Sequence, residues 1–141
     1  MLYITDRFYE RLIHEKYLLT KHYPSLRCEI REAILICRGL MQPNAHCREY
    51  YFELEYGRNA FNEHLPLVRI VYPIIKTDIE CHMYRSGHLC LYYKEDRSFT
   101  NDSNLYNTII PWTAEWIVYY ELYQLGHGWL GKSAPHSYAG K

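Results

Sequence analysis

Cys90 is the residue in this sequence best placed to do covalent chemistry. It lies in the apolar stretch 87–93, GHLCLYY, which follows a polar turn and precedes a long polar loop. A cysteine that leads from a strand into a loop can reach solvent, and its thiolate is a strong nucleophile. The usual thiol pKa of about 8.5 falls beside imidazoles or cations, and four such residues are close in sequence: His82, Arg85, His88 and Lys94. The alternative is a small buried core residue, as most free cysteines are.

The other four cysteines form no recognisable framework. The total of five is odd, there is no Cys-x-x-Cys pair, and the spacing does not suit zinc. Cys28 and Cys37 fall in strand patterns and are predicted to be core residues, while Cys47 and Cys81 are predicted to be structural. We therefore expect no disulfide framework, no metal site and no cofactor, and this cysteine content fits a reducing cytoplasm.

Composition and charge argue against several function classes. Lys+Arg and Asp+Glu both total 16, so no basic face for nucleic acid is expected. No run approaches the roughly 18 apolar residues of a membrane helix, and the first residues have no apolar signal core. A chain of 141 residues is expected to form one domain, over residues 1–141.

The first element predicted to support the cysteine is an amphipathic helix over 5–22. Thr5 or Asp6 is expected to cap its start. Its charged face, which includes Arg11 and Glu15, is interpreted as solvated surface. The apolar residues that define the other face recur at three- and four-residue spacing: Phe8, Tyr9, Leu12, Ile13, Tyr17 and Leu19.

The middle of the chain has the patterns of β-strands. Apolar and polar residues alternate at 26–31 and 50–56, and a further strand is predicted at 66–72. The apolar run 34–37 is consistent with a strand covered on both faces. Short polar turns join these segments, which favours an antiparallel sheet of about four strands.

A helical period returns after the cysteine loop. Thr113 is expected to cap this helix, Glu115 to lie in its first turn and Gly126 to end it. Its aromatic stripe is predicted to be core: Trp112, Trp116, Tyr120 and Tyr123, with Ile117 beside it. The order of helix, antiparallel sheet, cysteine loop and C-terminal helices predicts the α+β class.

This order, with a cysteine just after the sheet, resembles the ubiquitin-conjugating-enzyme (UBC) fold. Enzymes of that family carry a His-Pro-Asn motif, then a turn with glycine, then a short segment that ends in Cys-Leu. The corresponding residues here are His-Met-Tyr at 82–84 and Gly-His-Leu-Cys-Leu at 87–91. The chain is more similar still to the bacterial branch found in CBASS anti-phage operons. Four segments carry that similarity: 28–39, 82–92, 109–121 and 128–136.

The resemblance implies a cysteine-dependent acyl transferase in which Cys90 holds the C-terminus of a protein partner as a thioester. In CBASS the implied partner is the cGAS-like nucleotidyltransferase. A stand-alone chain without a Gly-rich nucleotide loop would act on it directly or use a separate activating enzyme. Tyr84 replaces the family's asparagine, so the oxyanion donor is open between Tyr84, His82 and loop amides. His88 is a further candidate for tuning the thiol. The alternative function is a UBC-like or RWD-like binding module whose cysteine is incidental.

Three further residues have both a functional and a non-functional interpretation. Asp96 and Asp102 could orient an incoming amine or be ordinary loop acids, and His136 could approach the site or be a solvated surface residue. For Cys90 itself we expect a partly accessible thiol, within reach of 82–84. We also expect it to react faster with a mild alkylating agent than the other four cysteines.

Overall fold

The computed structural model describes residues 7–57, 65–92 and 97–131. A sheet of four antiparallel strands, whose order in the sheet follows their order in the chain, has one helix before it and one helix after it in the sequence. This confirms the predicted α+β class. The elements run as follows: α1 (Arg7–His22), β1 (Arg27–Arg31), β2 (Ile34–Met41), β3 (Tyr50–Gly57), β4 (Leu67–Tyr72), two short 3₁₀ turns (Ile79–Cys81 and Leu105–Asn107), α2 (Ile109–Leu122) and a closing π turn (Tyr123–His127). Within the described ranges, no helix has the length and apolarity to cross a membrane.

The buried face of α1 is narrower than its apolar residues suggest. Leu12 and Leu19 are fully buried, and Phe8 packs edge-on against Tyr56 of β3, with ring centroids 5.4 Å apart. The other apolar stripe, which the sequence placed on the same face, is exposed: Tyr9, Ile13 and Tyr17. The prediction for that stripe is wrong. Because an α-helix turns about 100° per residue, Ile13 faces away from its buried neighbour Leu12, and Tyr17, two residues before Leu19, faces away from Leu19. The predicted cap at Thr5 or Asp6 lies outside the described residues.

The sheet follows the predicted alternation. On β3, Tyr50, Phe52, Leu54 and Tyr56 are buried, and the residues between them are partly exposed. The expectation that 34–37 is covered on both faces is wrong. Leu35 and Cys37 are buried, but Ile36 between them is partly exposed and Arg38 after them is exposed. This alternation is typical of a strand with one solvated face.

Helix α2 begins earlier than its aromatic stripe indicated. It starts at Ile109, and Pro111 lies in its first turn, where proline is tolerated. Thr113 is therefore not the cap: it lies inside the helix, where its hydroxyl donates to the Ile109 carbonyl at 2.8 Å, and Glu115 falls beyond the first turn. Trp116, Ile117 and Tyr120 are buried, as predicted for the core. The helical backbone geometry is interrupted at Gly126, inside the π turn, where a φ of 92° suits glycine.

Candidate functional site

Cys90 ends a short hairpin, which we call the site hairpin (residues 82–90). A 3₁₀ turn leads into it and ends at His82, whose backbone is left-handed. The Gly87 amide donates to the Tyr84 carbonyl at 2.9 Å and closes the turn, and the φ of 90° at Gly87 explains why glycine follows Arg85-Ser86. The Cys90 amide donates to the His82 carbonyl at 2.8 Å. Residues 82 and 90 are thereby brought side by side, as the motif resemblance required.

Two contacts from distant parts of the chain fix the site hairpin. The Leu89 amide donates to the Val68 carbonyl on β4 at 2.7 Å. On the other side, the indole nitrogen of Trp116 donates to the Cys81 carbonyl at 2.9 Å and to the His82 carbonyl at 3.3 Å. The hairpin is therefore clamped between the sheet and α2, and Trp116 is both a core residue and an anchor for the site.

The Cys90 thiol is buried rather than partly accessible. The residue is only 7 % exposed, which overturns the expected accessibility. Burial raises the pKa of Cys90 to about 11, and a hydrogen bond from the Tyr84 side chain opposes this rise. The thiol also points toward the Tyr92 carbonyl, with sulfur and oxygen 3.9 Å apart. The resting group is thus a protonated thiol in contact with Tyr84, which lies in the 82–84 segment that we expected within reach of Cys90.

Among the described residues, the predicted lowering of the Cys90 pKa by His82, His88 or Arg85 is wrong. The His82 ring stacks on Trp129, with centroids 4.7 Å apart and planes 15° apart. His88 Nδ1 is bonded to the Ser86 hydroxyl at 2.7 Å, and burial lowers the pKa of His88. Arg85 is exposed. The pKa of the thiol rises because desolvation acts on it more strongly than the opposing hydrogen bond from Tyr84.

The remaining candidates are an exposed acid, three residues outside the described ranges and a second buried cysteine. Asp102 is exposed, and its amide donates to the Thr100 hydroxyl at 3.2 Å. Lys94, Asp96 and His136 lie outside the described residues. Cys81 is buried beside Asp78, and this burial raises the pKa of its thiol to about 12. The described residues contain no group of three or more His, Cys, Asp or Glu side chains that could hold a metal ion.

A comparison with known protein families decides which family this is. The family model described as type II CBASS E2 protein matches residues 15–137. The chain belongs to this family. It is therefore an E2-like protein of a CBASS antiphage system, with the conjugating type of transferase activity that the E2 name carries and with partner proteins in that system. No curated protein matches the chain significantly.

In this CBASS E2 protein, the segment that returns from the cysteine to α2 is held by an ion pair on α1. Glu15 is fully buried and accepts the Leu105 amide at 2.7 Å. Arg11 lies 3.6 Å from the other Glu15 oxygen, and it donates to the Tyr56 hydroxyl at 2.6 Å and to the Ser103 carbonyl at 2.7 Å. Both residues had been assigned to the solvated face. Their i, i+4 spacing was a visible signal of a pair, but nothing in the sequence showed that it would be buried.

Trp129 is the other residue of the site that sequence reasoning missed. Besides stacking on His82, it packs against Trp116 with ring centroids 5.9 Å apart. It lies beyond Gly126 in a stretch rich in glycine, which is typical of loops. The signal that could have pointed to it is the large aromatic side chain itself, since an isolated tryptophan in a loop usually packs against something.

Proposed function

We propose that Cys90 accepts the C-terminal carboxyl group of a protein partner as a thioester, and that this partner is the cGAS-like nucleotidyltransferase of the CBASS system. The observation that carries the proposal is the contact between Cys90 and Tyr84 on a backbone-locked hairpin. Tyr84 occupies the place of the family's motif asparagine. Membership of the CBASS E2 family supplies the context. We further propose that residues 1–141 form one catalytic domain.

The chemistry requires the thiol to lose its proton as it attacks. The carbon–sulfur bond forms, and the group that activated the carboxyl carbon leaves with the electron pair. An amine or another nucleophile later attacks the same carbon, and the thiolate leaves and is reprotonated. Burial disfavours the charged thiolate but has no such effect on a neutral thioester. Burial therefore opposes the thiolate but neither the resting thiol nor the thioester, so the proton has to leave as the carbon–sulfur bond forms.

The tetrahedral intermediate needs a hydrogen-bond donor for its oxyanion. The Cys90 amide is not available, since it already donates to the His82 carbonyl. The Tyr84 hydroxyl is the side-chain donor beside the sulfur, and we assign it this role. His82 then acts as an organiser, through its carbonyl and its stacked ring. Of the three supporting residues, we assign His88 the smallest role in the reaction, because its ring is bonded to Ser86.

The test is co-expression with the nucleotidyltransferase, with or without a separate activating enzyme, followed by non-reducing electrophoresis and mass spectrometry of the linkage. The expected adduct joins Cys90 to the partner's C-terminus and is cleaved by hydroxylamine or excess thiol. Cys90→Ala should abolish it, and Cys90→Ser should give a more durable ester or no adduct. Cys47→Ala is the matched control, because Cys47 lies on the β2–β3 connection, and it should keep the adduct. An adduct that survives in Cys90→Ala, or maps to another cysteine, would contradict the assignment.

The second candidate is a binding module that scaffolds a partner without forming a covalent bond. The burial of Cys90 and the raised pKa of its thiol favour this alternative. The same experiment separates the two functions. A scaffold would co-purify with its partner equally well as parent and as Cys90→Ala, and neither sample would contain a thioester.

A further inference from the structure

Cys28 and Cys37 face each other across the first two strands of the sheet. They are directly opposed residues in the antiparallel register of β1 and β2. Opposed residues of such a pair have Cα atoms about 4.5 or 5.5 Å apart, depending on their position in the ladder. Both values lie within the range of about 4.4–6.8 Å that a disulfide spans. The side chains also point to the same face, so the two thiols lie close enough for each to affect the acidity of the other.

The two thiols of this pair differ in exposure. Cys37 is fully buried on β2, whereas Cys28 is half-buried on β1, which forms one edge of the sheet. Lys16 and Thr20, one turn apart on α1, lie close enough to Cys28 to act on it electrostatically and by hydrogen bonding. A small reagent arriving at the edge of the sheet therefore meets Cys28 first.

The two thiols also differ in acidity, because the pKa of Cys28 is lowered and that of Cys37 is raised. The hydrogen bond from Cys37 lowers the pKa of Cys28 against the effect of burial, and Thr20 and Lys16 lower it further. The same bond, together with burial, raises the pKa of Cys37. Cys28 is the only one of the five cysteines whose pKa is lowered, since those of Cys47, Cys81 and Cys90 are all raised.

We propose that Cys28 and Cys37 form a reversible oxidation site that reacts with peroxides. The Cys28 thiolate attacks one peroxide oxygen, the O–O bond breaks, and Cys28 becomes a sulfenic acid while water or an alcohol leaves. The Cys37 sulfur then attacks the Cys28 sulfur, and hydroxide leaves and takes up the Cys37 proton as water. Two thiols are oxidised to one cross-strand disulfide as one peroxide is reduced. A dithiol reductant reverses the product by thiol–disulfide exchange.

This site is separate from the proposed catalytic cysteine and alters how its reactivity is measured. The sequence led us to expect that Cys90 would react fastest with a mild alkylating agent. The structure reverses that order: Cys28 should react first and Cys90 much later. A bulk thiol assay near neutral pH would therefore report Cys28, and the reactivity of Cys90 has to be measured by site-resolved methods.

The oxidation site can be tested on the full chain. The protein is treated with hydrogen peroxide, free thiols are blocked with N-ethylmaleimide, and the sample is digested with trypsin without reductant. Cleavage after Arg27, Arg31 and Arg38 releases the peptides 28–31 and 32–38. We expect these two peptides to appear joined by a disulfide, and to separate when dithiothreitol is added. Joined peptides that contain Cys47, Cys81 or Cys90 instead, or oxidation of those residues while 28–31 stays reduced, would overturn the proposal.

Two variants separate the roles of the pair. In Cys37→Ala the second step is impossible, so Cys28 should accumulate as a sulfenic acid that dimedone traps. In Cys28→Ser, Cys37 should stay reduced at the peroxide concentration that oxidises the parent fully. Oxidation of Cys37 in Cys28→Ser at the parent's rate would refute the order of attack. The peptide mapping of the parent needs neither variant, so the proposal stays testable if Cys37→Ala fails to fold.

Discussion

The contact between Tyr84 and Cys90 predicts how fast the thiol reacts at each pH. Because the pKa of Cys90 is about 11, its thiolate fraction near neutral pH is at least about a hundredfold below that of a thiol with the usual pKa. The fraction should rise about tenfold per pH unit and show no plateau below about pH 10. Tyr84→Phe removes a hydrogen bond to the thiolate, worth about 1.5 kcal/mol at the low end for charged groups. Alkylation of Cys90 should therefore slow about tenfold at each pH below about 10.

The assay is site-resolved labelling with iodoacetamide at several pH values, read by mass spectrometry of the peptide that contains Cys90. Tyr123→Phe is the matched control, because it removes a hydroxyl that is bonded to Glu80 at 3.0 Å. The control should label at the parent's rate. A plateau near pH 8 would refute the raised pKa of Cys90 and its assignment to burial. The same slowing in Tyr84→Phe and Tyr123→Phe would refute the assignment of the hydrogen bond to Tyr84.

Substitutions at three positions test the packing of the fold, each by chemical denaturation. Trp116→Ala should lower the free energy of unfolding by about 3–5 kcal/mol, while Trp116→Phe should lose about 1–2 kcal/mol with its buried hydrogen bond. An unchanged midpoint in Trp116→Ala would show that the stripe is not core. Glu15→Ala should lose about 3–5 kcal/mol because it leaves Arg11 and the Leu105 amide without their buried carboxylate, and Glu15→Gln should lose less. Gly57→Ala should lose about 1–3 kcal/mol, because its Cβ would lie 2.8 Å from the Ala33 carbonyl oxygen.

Periodicity predicted most of the fold because it reports directly on burial. On β3, apolar side chains at every second residue can share only one face, and that face is the core. The same reasoning failed on α1, where Tyr9, Ile13 and Tyr17 look like core residues and are exposed. A helix offers more than one apolar stripe, and only tertiary packing selects the stripe that is buried.

The candidate site could be predicted in outline but not in its electrostatics. Short motifs located Cys90 and Tyr84 because neighbouring residues on a hairpin must come together. The burial that raises the pKa of Cys90 depends on a hairpin clamped by Val68 and Trp116, which are distant in sequence. The cross-strand register of Cys28 and Cys37 was equally hidden, because the turn between β1 and β2 sets it.

The two outer strands of the sheet are protected in different ways. An uncovered strand edge is a template for pairing with other chains and leads to aggregation. β1 carries exposed charged residues at Arg27, Glu29 and Arg31, which oppose such pairing. On β4, the outward carbonyl of Val68 is occupied by the Leu89 amide of the site hairpin. The segment that carries the cysteine therefore also covers a sheet edge, and variants that loosen it should lose solubility together with activity.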